Sequence, residues 1–200
     1  MRLLPLLLLC AASAYPAEAI NVFGIHWTVP LASEWKVEQD GSLRLVTHRG
    51  PDKDKPRRPL QFALSDTGYG SFQMNADVKV LDRSLIIVYA YKDEAHFDYA
   101  HLSTDTGVMQ PVHNGIFHVF GGERVRISST EGPPSFAAVD QWNHVALHYD
   151  AKAGKLTVSV NGKRNPSLTA VDLSLASGKV GLGSFDETAV FKNVNITSAK

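Results

Sequence analysis

The chain has 200 residues, in which 20 Lys and Arg balance 20 Asp and Glu, with eight His and a single Cys. Zero net charge argues against a nucleic-acid partner, because holding a phosphate polymer depends on an excess of Lys and Arg. One Cys rules out a disulfide framework and a cysteine-rich zinc site.

Taken in chain order, residues 1–19 (MRLLPLLLLCAASAYPAEA) place Arg2 before an apolar run and end in Ala17-Glu18-Ala19, the small-residue pattern of a cleavable export signal. The run is interrupted by Pro5 and Pro16 and is shorter than the roughly 20 apolar residues of a bilayer span. No membrane span is expected in the mature chain, 20–200, which is read as one secreted or periplasmic domain. Cys10 ends the apolar run, where lipidation is an alternative. It follows leucines rather than the small residues such a site wants, so it is read as a signal-peptide cysteine. Cleavage after Ala19 leaves a cysteine-free chain of about 180 residues, ample for one hydrophobic core and short for two.

Period-two alternation follows in SLRLVT, FQMNADVKV, SLIIVYAY, HFDYAHLS, GIFHVF, RVRIS, HVALHY, KLTVSV, KVGLG and AVFKNVNI. Asp40-Gly41, Gly121-Gly122 and Asn161-Gly162 sit at tight-turn positions, where positive φ is tolerated. Residues 49–60 read as a Pro-rich charged loop whose Lys53, Lys55, Arg57 and Arg58 alternate with acids and prolines; 129–137 read as a second loop. The expected fold is all-β: roughly a dozen strands in a two-sheet antiparallel sandwich of the jelly-roll kind.

The segments EWKVEQDGSLRLVT, DQWNHVALHYDAKAGKLTVSVNGK and GKVGLGSFDETAVFKNVNI resemble the concanavalin A-like lectin and glucanase superfamily, especially its laminin-G-like and 3-keto-disaccharide-hydrolase-like members. The positions that carry the resemblance are Trp35, Val37, Asp40, Gly41, Trp142, Asn143, Val160, Asn161, Gly162, Phe191, Asn193 and Val194. They are signatures of the fold rather than of one activity.

The central stretch SLIIVYAYKDEAHFDYAHLS resembles the hairpin that builds part of the concave sheet in these sandwiches. With a turn at 92–95, Leu85, Ile87, Tyr89, Tyr91, Ala100 and Leu102 share a core face, while Ala90, Phe97, Tyr99 and His101 share the open face. In the next hairpin, alternation puts Phe117, Val119, Arg124 and Arg126 on one side, with His113 in register, and Ile116, His118, Val125 and Ile127 on the other. Rings beside Arg and His donors suit a sugar, whose C–H face packs on aromatics while its hydroxyls accept hydrogen bonds. The expected ligand set is therefore Phe97, Tyr99, His101, His113, Phe117, Arg124 and Arg126, together with Asp93, which sits at the family's turn aspartate and also suits turn bonding. The expected partner is an oligo- or polysaccharide.

Catalysis is less legible. The Glu-x-Asp-x-x-Glu strand of retaining glucanases is missing. Asp93, Glu94 and Asp98 cluster near one hairpin as a candidate acid and base. Leu85-Ile86-Ile87 and Phe97-Asp98-Tyr99 stand where 3-keto-disaccharide hydrolases carry Asn-Ser-Gly and Tyr-Glu, which puts hydrolysis in doubt. His144 and His148 share a strand face too far apart for one small ion. No cofactor or zinc site is expected, and a structural calcium would fall at Asp186 and Glu187. No serine sits in a Gly-x-Ser-x-Gly turn. A carbohydrate-binding protein ranks first, a small secreted glycoside hydrolase second and a laminin-G-like adhesion module third.

Overall fold

The computed structural model describes residues 17–49 and 59–199. The apolar run with Cys10 and the Lys53, Lys55, Arg57, Arg58 cluster lie outside the described residues. Two antiparallel sheets face each other. The eight-stranded sheet runs, edge to edge, β1 (Glu18–Val22), β2 (Ile25–Val29), β5 (Gln61–Tyr69), β14 (Gly178–Ser184), β7 (Ser84–Asp93), β8 (His96–Ser103), β9 (Gly115–Phe120) and β10 (Glu123–Arg126). The seven-stranded sheet runs β13 (Lys163–Val171), β12 (Lys155–Val160), β11 (Asn143–Asp150), β6 (Phe72–Val80), β15 (Ala189–Ser198), β4 (Leu43–Leu45) and β3 (Trp35–Val37). Neither sheet closes into a barrel, and the all-β sandwich expected from the alternation is what forms.

The alternation explains where the main core sits. β6 and β11 bury every second residue, so Phe72, Met74, Ala76, Val78 and Val80 and their cross-strand partners Val145, Leu147 and Tyr149 all enter the space between the sheets. Leu85, Ile87, Tyr89, Ala100, Leu102 and Ile116 meet them from the other sheet. Tight turns fall where expected: Gly121 and Gly122 both take positive φ, as do Asn161 and Gly162, the backbone of two-residue hairpin loops.

The alternating segments read in the sequence did not include β1, β2, β5 or β13, and they misplaced two side chains. β13 carries Pro166 and lies at the sheet edge, where a missing N–H breaks no ladder. The face assignment of Ala90 and Tyr91 is inverted. Ala90 adopts φ 50° in a bulge, after which Ala90 joins the main core and Tyr91 turns to the opposite side. The backbone of β14 approaches so closely there that a Cβ on Gly178 would lie 2.4 Å from the Ala90 carbonyl carbon.

Candidate functional site

The side of the eight-stranded sheet that faces away from the main core carries a second apolar layer. Phe62, Ile86, Val88, Phe97, Tyr99, Phe117 and Val119 leave β5, β7, β8 and β9 on that side, with Leu60 beneath them and Leu64, Tyr91 and Phe185 packed at the margins. Neighbouring strands bring the rings within van der Waals reach. Tyr99 and its register partner Phe117 stack at 5.2 Å and 16°, Phe97 lies 5.5 Å from Phe62 and 5.8 Å from Tyr91, and Phe185 meets Tyr99 edge-on at 5.2 Å. Phe97, Tyr99 and Phe117 are thus on the face that the alternation predicts. They are not displayed: their exposures are 2%, 0% and 3%. Each ring covers the next.

At one end this layer gives way to a polar network. His101, also buried, points its Nε2 at Ser84 Oγ (2.9 Å), and Ser84 Oγ donates to Glu187 Oε2 (2.5 Å). Because the serine proton is given to the carboxylate, the hydroxyl accepts from the imidazole. That fixes the Nε2–H tautomer and leaves Nδ1 as a bare acceptor with no hydrogen-bond partner among the described residues. Burial first, then the charges of His113, Arg124 and Arg83, holds His101 well below the ordinary imidazole pKa, so the ring is neutral at pH 7. Glu187 Oε1 is held by Arg83 Nη2 at 2.6 Å, Arg83 reaches Asp105, and Asp105 Oδ2 binds His113 Nδ1. The rings of His101 and His113 lie 5.1 Å apart, which closes the network into one cluster.

The two arginines divide. Arg126 lies 5.5 Å from the Phe117 ring, and its three guanidinium nitrogens bond the carbonyls of Ser128, Pro111 and Ser129. It fastens the loop after β10 to the short helix α1 (Gln110–His113). Gly115 makes room for it, since a Cβ there would sit 2.5 Å from Arg126 Cζ. Arg124 is exposed, lies 3.9 Å over the Phe117 ring and commits one N–H to Val112 O. His113 belongs to α1 rather than to a strand in register with Phe117, and it joins the cluster because the helix folds back over β8. Asp93 is a turn residue whose Oδ1 accepts from the Ala95 N–H at 2.8 Å and pairs with His96.

The expected acid and base near 93–98 are parted by the pleat. Asp93 is at the exposed hairpin tip, whereas Asp98 points into the space between the sheets and is 1% exposed. The acid–Ser–His chain at Ser84 is not the Ser-His-Asp arrangement either, because the serine sits in the middle and gives its proton to Glu187 rather than to the imidazole. Glu187, expected as a calcium ligand, has both oxygens engaged by Arg83 and Ser84. No pattern in the chain pointed to Arg83, Ser84, Asp105, Phe62 or Phe185 at this site. They come from strand ends and loops far apart in the chain.

This is a jelly-roll sandwich of the concanavalin A-like type. Among solved structures it is similar to the carbohydrate-binding module CBM66 from Bacillus subtilis, with 19% identity over 82% of this chain and 91% of that one and a TM-score of 0.60. It is similar also to a candidate glycosyl hydrolase from Parabacteroides distasonis, with 15% identity over 84% and 92% of the two chains and a TM-score of 0.59. The third is the GH43 protein BlXynB from Bacillus licheniformis, with 14% identity and a TM-score of 0.61, where the match covers 86% of this chain and 37% of that one. No protein-family model matches the chain, and no curated protein matches it in sequence.

Proposed function

We propose that the chain is an exported carbohydrate-binding protein whose glycan docks at the polar end of the eight-stranded sheet, against Arg124, Arg83, His113 and Asp105. One observation carries this reading: hydrogen-bonding groups of both signs, with Arg83 42% exposed and Arg124 exposed, converge at one end of an aromatic layer. That arrangement supplies donors and acceptors for sugar hydroxyls. The name of one structural neighbour, a carbohydrate-binding module, agrees with it. The export signal read in residues 1–19 would place the protein outside the cytoplasm, where polysaccharides are met. Among the described residues, no helix is long and apolar enough to cross a membrane.

The test is a glycan array followed by calorimetry on the exported chain, with Arg124→Ala and Arg83→Ala beside wild type and a reducing-sugar assay on every hit. Loss of one charge-assisted hydrogen bond, worth about 1.5–3 kcal/mol, weakens binding roughly tenfold or more without product release. Product release would establish the hydrolase reading instead, and silence in both assays would overturn the proposal in favour of a protein partner.

A further inference from the structure

On the opposite side of the same sheet, inside the sandwich, three side chains far apart in sequence meet. Asp98 of β8 and His118 of β9 are register partners, and Asp172 follows the last residue of β13 in the other sheet. His118 Nδ1 lies 2.6 Å from Asp98 Oδ1 and 3.1 Å from Asp172 Oδ2, and one ligand atom from each residue falls within 4.8 Å of the others. We propose that Asp98, His118 and Asp172 form a binding site for a divalent transition-metal ion of the zinc class, which ties the two sheets together.

The placement of Asp98 argues first. Alternation along β8 assigns that position to the core face, beside Ala100 and Leu102, and a carboxylate there is costly unless a cation compensates it. Two carboxylates and one imidazole nitrogen aimed at a common point are the donor set that zinc accepts, at about 2.0–2.2 Å from each atom. A harder ion such as calcium would want more oxygens and no imidazole.

An independent observation points at the same spot. Tyr149 reaches from the seven-stranded sheet and is 1% exposed, yet among the described residues its Oη has no hydrogen-bond partner. Its ring lies 5.1 Å from that of Tyr89, the register partner of Asp98, and the charges of Asp98 and Asp172 both act on the phenol. The donors are also held in place. Asp172 Oδ1 accepts from Ser174 N and Oγ, and the Asp172 N–H bonds Gly154 O at 2.8 Å, which leaves Oδ2 turned toward His118. With Asp98 and His118 on one sheet and Asp172 and Tyr149 on the other, an ion here would do what a disulfide does in other exported sandwiches.

The full chain, stripped with a chelator and dialysed, is titrated with zinc sulfate and followed by calorimetry and by its melting midpoint. One equivalent binds to wild type and raises the midpoint, and Co2+ in its place gives the d–d absorption of an ordered N/O site. His118→Ala and Asp172→Asn each weaken binding at least tenfold, while the surface variants His144→Ala and His148→Ala keep it. The wild-type titration needs no variant to fold. Failure of wild type to bind zinc, or equal loss in the surface variants, overturns the proposal and leaves His118 as the shared hydrogen-bond partner of two carboxyl groups.

Discussion

Replacing Phe97 by Ala separates a packed aromatic layer from an open ligand platform. The Phe97 ring is 2% exposed and touches Phe62, Tyr91 and Tyr99 at centroid distances of 5.5 to 5.8 Å. Removing such a buried ring costs about 3–5 kcal/mol in transfer and cavity terms. At about 2–4 °C per kcal/mol for a chain of this size, the melting midpoint falls by roughly 6–20 °C. Phe120 on β9 provides the contrast: it is 59% exposed and meets mainly the rings of His96 and His118, so Phe120→Ala costs under about 1 kcal/mol. Urea melts of the three proteins, with slope and midpoint fitted separately, measure both differences. A Phe97→Ala loss no larger than that of Phe120→Ala, coupled to a loss of sugar affinity, would refute the reasoning and make the ring a platform.

Three further outcomes follow from the same geometry. His101 is buried neutral, its pKa held well below the ordinary imidazole value of 6.5; the unfolded chain therefore binds more protons than the folded one, and stability falls as pH drops below 6.5. His101→Gln flattens that part of the stability–pH curve in urea melts. Asp98 has the opposite sign: its folded pKa, raised to about 6 from 3.8, makes the folded state the better proton binder, so its contribution to stability declines as pH rises from 3.8 to 6. In metal-free protein Asp98→Asn removes that decline, and a slope unchanged by the substitution would show that Asp98 does not cause it. Gly115→Ala forces the Arg126 guanidinium off its three carbonyls and costs about 1–3 kcal/mol, whereas in an Arg126→Ala background the same change costs little. Additive losses in that double-mutant cycle would rule out the coupling.

The sandwich was legible in the chain because sheet structure leaves a local trace. Period two in β6, β7, β8 and β11 sets which residues face the main core, and the Gly121-Gly122 and Asn161-Gly162 pairs set where the chain reverses. The same arithmetic put Phe97, Tyr99, Phe117, Arg124 and Arg126 on one face. It failed at Ala90 and Tyr91, since a bulge adds a residue to one strand and exchanges the two sides without altering composition.

What the alternation could not show is what covers a face. Phe97, Tyr99 and Phe117 alternate as residues of an exposed platform would, and the approach of Phe62 from β5 and Phe185 from the loop before β15 helps make them a second core. Polar constellations are hidden for the same reason. Ser84, His101 and Glu187 span 103 residues, and Asp98, His118 and Asp172 come from both sheets, so no spacing along the chain marks either group. Local sequence therefore determined strands, turns and the inward or outward sense of most side chains. The pairing order of the strands and the stacking of the two sheets decided which buried charges meet, because they bring together residues that no short stretch of chain relates.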